Sequence, residues 1–244
     1  MKVMKVSLLI TTLVFGHSAL ALTGDELLQQ IDRNMQPDSY EMYRKLINIE
    51  PNGSKKEFVL YSVKKGRDNV AALFLDPPSE KGRVTLRQGD NMWLYIPNVG
   101  KPIRITSMQS VVGGVFNNSD ILNADFTVEY KAEALEEKPD GWLLTLRAKV
   151  PSAAYDKLVM QVDKRHKVPT NIEAYAASGL LIKSLRYSEI KDFGGGITRP
   201  AMLETDSPLF KGYKSVMLFS RIKKRPLADE VFTLNYMSRL DELR

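Results

Sequence analysis

Cysteine is absent from this sequence, and histidine occurs only at His17 and His166. The first absence removes disulfides and thiolate nucleophiles, and with them any N-terminal cysteine for a lipid anchor. The second leaves His166 as the one imidazole beyond residue 21, too few for a zinc site of clustered ligands. It stands in "VDKRHKVP", among charges and before a proline, which predicts an exposed turn and not a base beside a nucleophile. The paired acids Glu136-Glu137 and Asp241-Glu242 are adjacent in sequence, so on a strand they point to opposite faces. Asp76 and Glu80 flank a Pro77-Pro78 turn. "GGVFNNSD" and "FGGGIT" are glycine-rich, but both lack the lysine and hydroxyl of a phosphate loop. No metal or cofactor is expected, and the sequence points away from an enzyme.

A long hydrophobic run is missing too. Val6–Phe15 is roughly 10 residues, half of what a helix needs to cross about 30 Å of hydrocarbon. With Lys2 and Lys5 before it and Ala19-Leu20-Ala21 after it, the stretch has the layout of a secretory signal peptide. Residues 1–21 are therefore expected to be cleaved, leaving residues 22–244 as one domain in the periplasm of a Gram-negative cell. Loss of the two lysines takes the net charge from +6 to +4, an ordinary solubility charge. An exported chain of that charge without a recognition motif is not expected to bind nucleic acid. The basic stretches "VKKGR" and "DKRHK" read as solvated turns. "RIKKRP" (221–226) also fits a docking patch for an acidic partner or anionic headgroups.

Beyond residue 21, "LTGDELLQQIDRNM" opens with Thr23 as N-cap and Glu26 as its capping-box partner. Leu27, Ile31 and Met35 then share one helical face, with Leu28 beside them, and Pro37 ends the helix. About a dozen strand-like runs follow, from Tyr40–Ile49 to Lys214–Lys224, separated by turn pairs such as Asn52-Gly53, Asp140-Gly141 and Ser178-Gly179. Phe126–Ala134 is among the predicted strands. Such spacing without interleaved helices predicts an antiparallel sheet that curls or closes. Two stretches break the rhythm. Residues 107–125 carry Met108, Val111, Val112, Val115 and Phe116 at helix-like intervals around Gly113-Gly114, and Ser119 is placed to cap a turn. The tail from Pro226 carries Phe232, Leu234, Met237 and Leu240. The whole reads as α+β, dominated by one sheet.

The surplus is apolar surface. In "NMWLYI" (91–96), Trp93 and Tyr95 share one face while Met92, Leu94 and Ile96 share the other; "NVAALFLD" (69–76) is likewise apolar on both. A sheet greasy on both faces must pack against helices or enclose something. The apolar, glycine-hinged segment 107–122 predicts a cap closing over a hollow for an acyl chain, where each buried methylene contributes about 0.8 kcal/mol. Strand parity and the cap select Leu60, Leu73, Trp93, Tyr95, Val111, Phe116, Leu122 and Leu144 as the expected lining.

The order "FLDPPSEKGRVTLRQGDNMWLYIPNVGKPIRI", the apolar cap ending in "SD", "VPTNIEAYAASGLLIKSLRYSEIKDFGGGITRPAMLETD" and the tail "DEVFTLNYMSRL" resembles the outer membrane lipoprotein-sorting family of the LolA/LolB-like superfamily. The resemblance covers essentially all of residues 22–244. It implies an unclosed antiparallel β-barrel of about eleven strands with a helical lid. It further implies a non-enzymatic, monomeric periplasmic carrier or chaperone for the acyl chains of a lipid or lipoprotein. Such a carrier would receive its cargo from an inner-membrane exporter, move it toward the outer membrane and touch membranes transiently. A sensor or adaptor of the same fold, acting on a membrane partner through Arg221, Lys223, Lys224 and Arg225, is the alternative it implies. Lipoprotein carriers of this kind have an arginine that ties the lid shut. Here Arg67, Arg83 and Arg87 are equal candidates.

Overall fold

The computed structural model describes residues 22–244; the expected signal segment lies outside the described residues. Helix α1 (Gly24–Met35) begins where Thr23 Oγ1 accepts the Glu26 N–H at 3.2 Å and Glu26 Oε2 accepts the Thr23 N–H at 2.8 Å. This reciprocal cap satisfies two otherwise orphaned groups. Leu27, Leu28, Ile31 and Met35 form its buried stripe.

Among the described residues thirteen strands form one antiparallel sheet. They are β1 (Ser39–Ile49), β2 (Lys55–Lys65), β3 (Asn69–Asp76), β4 (Val84–Gln88), β5 (Asn91–Tyr95), β6 (Ile103–Ile105), β7 (Tyr130–Lys138), β8 (Gly141–Ala148), β9 (Lys157–Asp163), β10 (Pro169–Tyr175), β11 (Leu181–Asp192), β12 (Thr198–Asp206) and β13 (Lys214–Lys224). The order is β6-β5-β4-β3-β2-β1-β13-β12-β11-β10-β9-β8-β7. The chain thus starts mid-sheet, steps hairpin by hairpin to the edge at β6, crosses to the far edge at β7, and steps back until β13 pairs with β1. Inward side chains from both wings, Leu60 and Phe74 on one and Leu144 and Met160 on the other, meet in one apolar cluster. The sheet therefore curls into an unclosed barrel, with two strands more than the resemblance implies. Its edges are blunted by length at β6 and by charge at β7, "YKAEALEEK", as free edges are.

The single crossover, residues 106–129, has to pass over a face of the sheet, and it takes the inner one. It contains two short helices, α2 (Asn118–Ile121) and α3 (Phe126–Glu129). The cap of α2 is Asn117, not Ser119: Asn117 Oδ1 accepts the Asp120 N–H at 3.0 Å and Asp120 Oδ2 accepts the Asn117 N–H at 2.9 Å. The strand expected from Phe126 starts only at Tyr130. Asp32 of α1 takes the Phe126 and Thr127 N–H groups at 2.7 and 2.9 Å, which withholds these donors from a ladder. The tail forms two 3-10 helices, Asp229–Phe232 and Leu234–Leu243, and lies on the outer face of β2–β5. There Leu227, Val231, Phe232, Met237 and Leu240 pack on Tyr61, Val63, Ala71, Leu73, Val84 and Leu86. Arg225 fastens it, bonding Glu41, Tyr61 Oη at 3.1 Å and the Leu243 carbonyl at 2.6 Å.

Candidate functional site

The inner face of the sheet is occupied by α1 and by the crossover. Val111, Val115, Phe116, Ile121 and Leu122 of the crossover are buried, and the segment acts as a plug seated on the strands. Gly114 allows its closest approach: a Cβ there would stand 2.1 Å from Asn48 Oδ1 on β1. The same Asn48 donates to the Val112 carbonyl at 3.2 Å, and Ser215 Oγ of β13 accepts the Val115 N–H at 2.9 Å.

Below the plug the strands present five buried cations: Arg44 on β1, Lys64 on β2, Arg87 on β4, Lys183 on β11 and Arg199 on β12. Each reaches α1 or the crossover. Arg44 Nη1 donates to the Ile121 carbonyl at 2.9 Å, and Arg87 Nη1 to that of Leu122 at 3.4 Å. Lys183 Nζ bonds the Val115 carbonyl at 2.6 Å and Asp120 Oδ2 at 2.7 Å. Lys64 pairs with Asp125, and Arg199 Nη1 donates to the Met35 carbonyl at 2.6 Å. Arg87 Nη2 lies 2.8 Å from Glu129 Oε1, off the line of a hydrogen bond, so both atoms lack a hydrogen-bond partner despite the ion pair. Arg44 and Arg87 thus hold the plug where the sequence left Arg67, Arg83 and Arg87 open. Arg67 is exposed and bonds Thr127, while Arg83 pairs with Glu80 in its own turn.

The counter-charges Asp32, Asp120, Asp125 and Glu129 all sit on α1 and the crossover. Burial, partly offset by its bonds to Thr127, raises the Asp32 carboxyl to about 6. Burial also raises the Glu129 carboxyl and lowers the Lys64 ammonium, and brings Arg44 down to about 10, still charged at neutral pH. Tyr155, between β8 and β9, ties down the start of α2, accepting from Asn117 Nδ2 at 2.8 Å and donating to Asp120 Oδ1 at 3.2 Å.

Of the side chains selected from the sequence, Leu60, Val111, Phe116, Leu122 and Leu144 come together in the inner cluster. Leu73, Trp93 and Tyr95 do not. They face outward and pack with the tail. Leu73 pairs across the ladder with Tyr61, while Leu60 pairs with Phe74, so a shared lining for Leu60 and Leu73 is excluded by strand parity. The second greasy face of "NMWLYI" is covered by the chain's own C-terminal tail. Apart from Arg87, the cation set escaped sequence reasoning. Its signal was a basic residue at an inward position of an otherwise apolar strand, as with Lys64 after Val63 and Arg87 after Leu86.

What space remains between α1, the plug and β9–β13 is a cavity of about 70 Å³, bordered by Gln36, Glu129, Tyr155, Tyr187, Arg199 and Phe219. This is far below the roughly 300–1,000 Å³ of ordinary ligand pockets, so the expected hollow is filled by the plug in this conformation. Among the described residues no helix is long and apolar enough to cross a membrane.

Comparison with solved structures places this arrangement in a lineage. A LolA superfamily protein from Nitrosomonas europaea is 29% identical, with a TM-score of 0.80 over 88% of this chain and 100% of that one. A DUF1329 family protein from Desulfovibrio piger is 20% identical, with a TM-score of 0.76 over 88% of this chain and 97% of that one. An outer membrane lipoprotein-sorting protein domain from Vibrio parahaemolyticus is 18% identical, with a TM-score of 0.74 over 88% and 97%. Among curated proteins none matches. A family model described as an uncharacterized protein matches residues 66–239. With that match, the unclosed sheet and the Nitrosomonas likeness together, the chain belongs to this family, within the LolA superfamily.

Proposed function

We propose that this protein is a periplasmic, non-enzymatic carrier of the acyl chains of a lipid or lipoprotein, with the crossover as its closed lid. One observation carries the reading. The inner face is covered by a segment that belongs to no strand, meets the sheet through apolar side chains, and is fastened through main-chain carbonyls. Acyl chains entering the barrel would replace Val111, Phe116, Ile121 and Leu122 against Leu60, Leu144 and their neighbours, apolar surface for apolar surface. The exchange costs little hydrophobic burial, which suits a protein that must both take up and release its cargo. On this reading residues 1–21 are removed on export and residues 22–244 act as one monomeric domain.

Membrane exchange needs a contact surface, and one end of the barrel supplies it. Leu180, Leu209, Phe210 and Tyr213 are exposed on neighbouring turns, beside the exposed Lys211 and Lys214. Ser207 Oγ donates to the Ile182 carbonyl, and Gly212 lies against Pro51, so these turns form one patch. Apolar tips among lysines suit the interface of an anionic bilayer.

The test is binding of a fluorescent fatty acyl probe to delipidated protein. A dissociation constant of about 1 μM or tighter, some −8 kcal/mol, is expected. Mass spectrometry of organic extracts from protein purified from the periplasm should yield the natural cargo. No binding by a correctly folded protein overturns the reading.

A further inference from the structure

The charges around the plug are unevenly shared. The sheet supplies five buried cations, and the helix and crossover supply the carboxylates. Three cations are matched, Lys64 by Asp125, Arg87 by Glu129 and Lys183 by Asp120. Asp32 is turned to the Phe126 and Thr127 N–H groups. Among the described residues Arg44 and Arg199 have no carboxylate partner. Arg44 bonds a carbonyl and Ser62 Oγ, and its Nε is without any partner. Arg199 bonds the Met35 and Pro200 carbonyls and stacks on Phe219 at 4.5 Å. Two nearly solvent-free guanidiniums therefore face only neutral groups, and Arg199 borders the cavity. A buried charge without a counter-ion is costly, and guanidinium is shaped for phosphate and carboxylate oxygens.

From this we infer that the cargo is an anionic amphiphile, whose phosphate or carboxylate head binds Arg199 and Arg44 while its chains take the place of the plug. The inference rests on the carrier reading and adds the chemistry of the head. Lifting the crossover would also carry Asp120 and Asp125 away from Lys183 and Lys64, leaving the sheet wall still more positive. A neutral lipid would leave those cations against hydrocarbon; an acidic one compensates them. Lifting the crossover also takes Asp120 and Glu129, which border the cavity in the closed form, away from the head's position.

The experiment compares single-chain probes with identical oleoyl tails on the delipidated full-length mature protein: a lysophosphatidic acid, a monoacylglycerol and inorganic phosphate alone. The phosphate-headed probe is expected to bind at least tenfold more tightly than the neutral one, and inorganic phosphate far more weakly than either. Arg199→Met should erase the preference without weakening the neutral probe, and Arg199→Lys should keep part of it. Equal affinity of the two acyl probes for the unaltered protein overturns the anionic head while leaving the carrier reading intact. Binding of inorganic phosphate as tight as that of the phosphate-headed probe overturns the amphiphile. Binding of no acyl probe at all overturns both proposals.

Discussion

Arg44 shows how a charged side chain is used here as a clasp. It is buried, reaches the Ile121 carbonyl and Ser62, and meets no carboxylate among the described residues. Arg44→Met removes two charge-assisted bonds together with an unpaired buried charge, effects of opposite sign. Its urea midpoint should therefore move little, whereas limited proteolysis within residues 107–125 should speed up several-fold, read by mass spectrometry of the fragments. Asp32 makes a pH prediction. Its carboxyl is raised from 3.8 to about 6 by burial, so between those values the folded state binds the extra proton. The contribution of Asp32 to stability then falls as pH rises from about 4 to 6, by up to about 3 kcal/mol, and is flat above. Urea unfolding of wild type and Asp32→Asn at pH 4.5 and 7 should show the difference between the two proteins changing in that direction. A pH-independent difference would refute it.

Among elements, the crossover and the tail do opposite jobs on opposite faces. The crossover is seated through Gly114, where a side chain would collide with Asn48. Gly114→Ala should lift the plug, raising the rate of acyl probe uptake while far-UV circular dichroism of the sheet stays unchanged. The tail partly covers Trp93 and Tyr95, with Phe232 only 2% exposed. Phe232→Ala should lower stability by about 3–5 kcal/mol and leave acyl probe affinity unchanged, since that ring never meets the inner face. A loss of affinity without a loss of stability would place the cargo on the outer face instead.

For the molecule as a whole, the proposed carrier role needs one end that meets a membrane and one face that holds cargo. Phe210 is 56% exposed, so Phe210→Asp should leave the fold intact. Its flotation with phosphatidylglycerol vesicles should drop markedly relative to wild type, with acyl probe binding in solution unchanged. Equal flotation of the two proteins would remove the patch as a membrane contact. Among the described residues the sheet's one non-hairpin connection bridges its two unpaired edges, β6 and β7. That same bridge becomes the lid. Topology and closure are thus one feature of the chain.

Local pattern alone determined much of this. The Thr23–Glu26 cap, alternation along β1 and the glycine turn pairs depend on near neighbours in sequence, and α1 and β1 lie where those signals put them within a residue or two, whereas β7 starts four residues late. The apolar character of residues 107–122 was visible in the same way. Tertiary structure decided which greasy face met which cover. Trp93 and Tyr95 look inward or outward equally well until a tail some 140 residues away along the chain settles on one side. Nor could any window of sequence pair Arg44 with the carbonyl of Ile121. Strand alternation says which residues share a face, but only the curl of the whole sheet says which face is inside.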